Sequence, residues 1–199
     1  NDTSSLSKDD FIRSFCLHTF GDLEGLVDEG KADARVYAAL AFGYAALGHS
    51  PFPEGMFEAS KEAAQRALAL DDSIPEIFLA LGMHEMYYEW DYDAAEAHLQ
   101  RALDLNPNLT GAVYHYAWLM ELWHYGDKAL ELGERTVELD PLSTFMMGDL
   151  AWQYCSAGLL DDAIRVADAA LDLNPRNAQA VAIKGLSIAR RGDFEGALA

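Results

Sequence analysis

The chain has 199 residues, 51% of them hydrophobic and only 6 of them proline, which excludes a disordered chain and allows one sizeable core or one extended array. Thirty-three acidic residues against 14 basic ones give a formal net charge of -19, a field that repels phosphate backbones and anionic lipid head groups. Nucleic acid and membrane surfaces are therefore not expected partners, and a cationic or apolar one is favoured; the same charge also keeps outward helix faces solvated. Two cysteines, Cys16 and Cys155, form no CxxC or Cys/His cluster, so neither a disulfide framework nor a zinc site is indicated and a reducing, cytoplasmic setting fits. No apolar run approaches the roughly 20 residues that span a bilayer, and the polar start Asn1-Asp2-Thr3-Ser4-Ser5 is not a signal peptide.

In chain order, residues 1–33 read as an N-terminal capping segment. Ser5 or Ser7 caps a helix whose apolar positions Phe11, Ile12, Phe15 and Cys16 recur at helical spacing, Gly21 ends it, and a short helix over 22–29 turns Leu23 and Leu26 inward. Over 34–74, Tyr37, Leu40, Ala41, Tyr44 and Gly48 mark a first helix and a partner follows over 53–70. The long connection between them holds Phe52 between Pro51 and Pro53 and reads as a stiffened structural loop. Over 75–109, Pro75 opens a helix with Ser73 as its expected cap, and a second helix over 94–105 turns Ala95, Leu99 and Ala102 inward. Residues 110–143 and 144–177 read as two regular pairs, with helices over 110–123, 127–139, 144–157 and 161–173. Asp127 and Asp161 are placed to cap the second helices, and Gly126 and Gly158 to form the turns. Residues 178–199 hold only part of a further pair, and the break in mid-repeat at Ala199 suggests a segment of a larger protein.

These pairs are copies of one unit. Ala95, Ala129, Ala163 and Ala197 lie 34 residues apart, and Leu105, Leu139 and Leu173 and then Pro107, Pro141 and Pro175 keep the same interval. A 34-residue period with these residues at fixed offsets is the signature of the tetratricopeptide repeat, a helix-turn-helix that buries its face only by stacking on its neighbours. The expected fold is all-α: a right-handed α-α superhelix of about four to five such repeats behind the capping segment. Counting forward from Gly82 and backward from Ala95 disagrees by one residue, so the 75–109 unit contains a single insertion around Glu89-Trp90.

The run Tyr88-Glu89-Trp90-Asp91-Tyr92-Asp93-Ala94-Ala95-Glu96, with Arg101-Ala102-Leu103-Asp104-Leu105-Asn106-Pro107-Asn108, His115-Tyr116-Ala117 and Leu139-Asp140-Pro141-Leu142-Ser143, resembles the tetratricopeptide arrays of bacterial signalling proteins. In that group the array extends a class III adenylate or guanylate cyclase domain, or a winged-helix or TolB-like domain. The resemblance implies a regulatory, protein-binding module rather than an enzyme, and it implies that Trp90 wedges between helices. One departure stands out. Co-chaperone members that clasp acidic peptide tails carry lysine and asparagine on successive first helices, where this chain has Arg35, Ala38, Ala39 and Phe42, then Leu79, Ala80 and Met83, then Tyr114, His115 and Trp118.

The inner wall of such an array is lined by first helices. Periodicity assigns to it Phe42, Leu79, Met83, Met86, Tyr87, Tyr114, His115, Trp118, Glu121, Leu122, Phe145, Asp149, Trp152 and Ser156. Rings and thioethers on a groove give large contact area at low entropic cost. The expected binding face comprises Met83, Met86, Tyr87, Tyr114, His115, Trp118, Leu122 and Trp152, as an apolar peptide groove centred on Tyr87, Trp118 and Trp152. The alternative for Met83 and Tyr114 in particular is packing between repeats. The six histidines show no HxxxH or HExxH pairing, His84 and adjacent Glu85 point to different faces, and nucleophile and phosphate-loop motifs are absent, so no metal, cofactor or catalytic residue is expected. Three readings follow: a protein-interaction scaffold, a homodimerising module, and a groove that senses a small molecule.

Overall fold

Helix follows helix through residues 20–48 and 55–198, which the computed structural model describes, and no strand occurs among them. The expectations for Ser5, Ser7, Phe11, Ile12, Phe15 and Cys16, and for the loop containing Pro51, Phe52 and Pro53, lie outside the described residues. The chain divides into two compact units, 1–106 and 107–199. The first contains α1 (20–28), α2 (Ala34–Gly48), α3 (Met56–Leu70), α4 (Pro75–His84), a π-helical turn (Glu85–Glu89) and α5 (Tyr92–Leu105). The second contains α6 (Thr110–Leu122), α7 (Gly126–Leu139), α8 (Thr144–Ser156), α9 (Leu160–Leu173), α10 (Ala178–Arg190) and a short 3-10 turn (Gly196–Leu198).

First and second helices of a pair differ in how much of their circumference is apolar. α4 buries every residue from Ile77 to His84, and α8 buries Met147 to Ala151 and Gln153 to Cys155, so both are enclosed on more than one side. α5, α7 and α9 bury a single stripe: Ala95, Leu99 and Ala102, then Ala129, Leu132, Gly133 and Thr136, then Ala163, Val166, Ala167 and Ala170. Close approach in the α4–α5 pair depends on Gly82, where a Cβ would fall 2.9 Å from Leu99 Cγ. In the second unit, α8, α9 and α10 meet around Ala151, Cys155, Ala167, Ala170, Ala180 and Ile183. Arg190 on α10 donates from Nη1 to the Cys155 carbonyl at 2.5 Å, adding to the Gly158 N–H that the same oxygen accepts at 3.1 Å at the end of α8.

The extra residue near Glu89 takes a definite form. Gly82 and Ala95 are 13 residues apart where Ala117 and Ala129, and Ala151 and Ala163, are 12 apart. The excess is absorbed as the π turn at Glu85–Glu89, closed by the Asp91 N–H on the Glu85 carbonyl at 3.0 Å. The turn after it ends in the left-handed region at Trp90 (φ 59), and the same conformation recurs at His124 (φ 62), Gly158 (φ 80) and Gly192 (φ 90). Those positions are 34 residues apart, so the period is written in the backbone as well as in the side chains.

Several local expectations are corrected. Helix α1 runs through Gly21, and the stop falls at Gly30 (φ 67), because an interior glycine only weakens a helix whereas a left-handed residue ends it. Gly126 does not form the α6–α7 turn; His124 takes the left-handed position, and Gly126 is already the first residue of α7. Asp127 and Asp161 lie inside the first turns of α7 and α9, where they complement the helix dipole, and Asp161 also pairs with Arg191 at 2.8 Å. Ser73 bonds Asp71 in place of α4, whose N-cap is Ile74. Side-chain caps come from Asp91 on α5, Ser143 on α8 and Asn177 on α10.

Candidate functional site

On α6, Tyr114, Trp118 and Leu122 are four residues apart and share one face. Tyr114 and Trp118 are half-buried and Leu122 is 46% exposed. On α8, Phe145 is 56% and Trp152 39% exposed. The Tyr114 ring stands 5.7 Å from that of Phe145, and its hydroxyl donates to Asp149 Oδ2 at 2.7 Å. Asp149 is buried, and Gln179 from α10 donates to its other oxygen, Oδ1, at 2.6 Å. Three helices are thereby tied through one carboxylate. A buried carboxylate holding two donors fixes the Tyr114 ring.

At the end of α6, burial pushes the Glu121 carboxyl above its usual range; hydrogen bonds with Gln153 and Trp152 act against that shift, and the Asp149 charge adds to it. Glu121 and Gln153 also line an open pocket of about 250 Å³ beside α6, α7 and α8, with His124, Gly126, Ala129, Leu130, Ser156 and Ala157 on its other walls. Of the expected residues, Tyr114, Trp118, Leu122 and Trp152 lie in the second unit, on α6 and α8.

The remaining expected residues are placed differently. Met83 and Met86 are 3% and 2% exposed, and His115 is buried with its ring edge-on to Tyr114 at 5.0 Å. These three are packing residues and offer no surface to a ligand: Met83 lies in the enclosed stretch of α4, Met86 is the buried residue of the π turn, and His115 lies on the buried side of α6. Tyr87 is half-buried in the π turn. Trp90 is corrected in the opposite direction: it is 69% exposed, edge-on to Tyr92 at 6.4 Å, and wedges between no helices.

A polar cluster around the π turn was not visible in the sequence. His84, 1% exposed, has Nδ1 3.0 Å from the Phe57 carbonyl and Nε2 3.2 Å from Glu89, while Lys61 donates to the same Glu89 oxygen at 3.1 Å. That lysine, and then His84, hold the Glu89 carboxyl below its usual range. Tyr88 donates to Glu58, and His98 lies 2.5 Å from Glu85. The two π-turn carboxylates therefore each hold a different histidine, and adjacent His84 and Glu85 diverge as helical geometry requires. Among the described residues no group of three His, Cys, Asp or Glu is placed to hold a metal, and no helix is long and apolar enough to cross a membrane.

Known structures share this architecture. The chain resembles YrrB, a TPR protein with an unusual peptide-binding site (TM-score 0.64, 22% identity, 88% of this chain and 87% of that one). It also resembles MamA from Desulfovibrio magneticus (TM-score 0.66, 20% identity, 83% and 89%) and the Pseudomonas aeruginosa PilF structure (TM-score 0.70, 16% identity, 83% and 72%). The fold is the all-α tetratricopeptide-repeat solenoid. Among curated proteins, the BBSome complex member BBS4 of Bos taurus is 29% identical over 155 residues, covering 76% of this chain. The chain spans 29% of that relative's length. No protein-family model matches.

Proposed function

We propose that the chain is a protein-interaction scaffold that holds a peptide or protein segment on the first-helix face of its second unit. The observation that carries this reading is a held ring beside exposed apolar side chains: Asp149 holds Tyr114, while Leu122, Phe145 and Trp152 stay open to solvent. Large apolar side chains of this kind make anchors, because aromatic rings offer much contact area for little lost side-chain freedom. The likeness to YrrB, a TPR protein with an unusual peptide-binding site, supports it. The finer reading follows the resemblance at residues 88–96 and 101–108: a regulatory tetratricopeptide region of a larger, cytoplasmic bacterial signalling protein, non-catalytic in itself, with an apolar or cationic partner drawn by the charge of -19.

The test selects peptides against the 199-residue chain from a displayed library and measures their affinity by calorimetry. The double variant Trp118→Ala/Trp152→Ala is expected to keep its helical circular dichroism and to lose about 30-fold or more in affinity, the loss of a central anchor pair. Unchanged affinity in that variant would remove the proposed face.

A further inference from the structure

His84 on α4 is 1% exposed, and both of its ring nitrogens meet oxygen acceptors. Nδ1 lies 3.0 Å from the Phe57 carbonyl on α3, and Nε2 lies 3.2 Å from Glu89 Oε1 at the end of the π turn. A carbonyl can only accept, and so can Glu89, because the Lys61 ammonium at 3.1 Å keeps its carboxyl ionised. A neutral imidazole has a single N–H, so one of its nitrogens would turn a lone pair toward an oxygen it cannot bond. The imidazolium donates from both. The charges around the ring agree with that form: Glu58 and Lys61 face it from α3 and Glu89 from the π turn, while the Tyr88 ring, whose hydroxyl donates to Glu58, lies 5.3 Å away. Two carboxylates against one ammonium leave one negative charge, which a proton on His84 neutralises.

We propose that His84 is protonated in the folded chain and that this proton latches the π turn to α3. The latch runs from the Phe57 carbonyl through the imidazolium to Glu89, and so reaches from α3 to the turn that carries Tyr88 and leads to the exposed Trp90. Loss of the proton removes one of the two donors and leaves a buried nitrogen facing an acceptor, so the turn loosens. The folded chain holds the proton, so the latch is closed at low pH and opens as pH rises through the range in which imidazoles titrate, about pH 5 to 8. Glu89→Gln removes the need for the proton, because a carboxamide can donate to the bare Nε2 of a neutral His84.

Two measurements on the 199-residue chain test this. Long-range ¹H–¹⁵N spectra of the histidine-labelled chain at about pH 6 read the ring directly and need no variant. Both His84 nitrogens are expected to carry protons, and a single protonated nitrogen overturns the proposal. Hydrogen exchange of the Asp91 N–H, which closes the π turn on the Glu85 carbonyl, reads the latch once the intrinsic pH dependence of exchange is divided out. Its protection is expected to fall about tenfold between about pH 5 and 8 in the parent, the worth of one charge-assisted hydrogen bond, and to stay level in Glu89→Gln. His98, 2.5 Å from Glu85, is present in both chains, so its own titration cancels in the comparison. An equal fall in both chains, or level protection in the parent, overturns the latch.

Discussion

The α4–α5 pair and the α8–α9 pair are built on one period and solve it with different residues. In α8–α9 the turn residue is Gly158 at φ 80, and the contact positions Ala151 and Ala167 are both small and fully buried. In α4–α5 the turn residue is Trp90 at φ 59, one extra residue is stored in a π turn, and a single large side chain, Leu99, packs against Gly82. The comparison teaches that the repeat is defined by a backbone turn and a close helix contact, and that different side chains can meet both requirements. The irregular pair departs from the cheapest solution. A tryptophan in the left-handed region costs about 1–2 kcal/mol relative to a glycine free of that strain.

The largest expected effect lies at the contact. Leu99→Ala empties the space above Gly82 and should destabilise the chain by about 2–5 kcal/mol in urea unfolding, since a glycine opposite cannot fill the cavity. A loss below about 1 kcal/mol would show that the contact does not fix the pair. The turns provide a sharper comparison because the signs oppose. Gly158→Ala should lose about 1–2 kcal/mol, while Trp90→Gly should gain up to about 1 kcal/mol once the added chain entropy of glycine is subtracted. Two changes of the same sign would break the claim that both turns share one conformation.

The smallest effect belongs to the contact between α7 and α8. Burial, and then the hydrogen bond and charge of Glu134, push the Tyr154 hydroxyl up from 10.0 to about 12. The folded chain therefore holds this proton more tightly than the unfolded one, so the contribution is complete below pH 10 and lost as pH rises toward 12. Tyr154→Phe should flatten the decline in stability across that window, and a decline as steep as the parent's would remove Tyr154 as its cause.

The candidate face was partly legible in the sequence. Helical spacing placed Trp118, Leu122 and Trp152 on first helices, where Leu122 and Trp152 are exposed and Trp118 is half-buried. The same spacing assigned Met83, Met86 and His115 to the surface, although they are buried. Periodicity gives a direction around one helix, whereas burial depends on how many neighbours enclose it. Gln179 and Gln153 carried no sequence signal, because their roles come from reaching a carboxylate on another turn or helix.

The sequence by itself determined the repeat: alanine, leucine and proline at a 34-residue interval commit the chain to stacked helical hairpins, and the miscount between Gly82 and Ala95 marks the inserted residue. Tertiary structure decided that the insertion becomes a π turn, that Trp90 faces solvent and that Asp149 ties Tyr114 to Gln179. The physical reason is range. A period records interactions repeated along the chain, while exposure, counter-ions and cavities arise from residues 30 or more positions apart, such as Tyr114 and Asp149, that only the packed helices bring together.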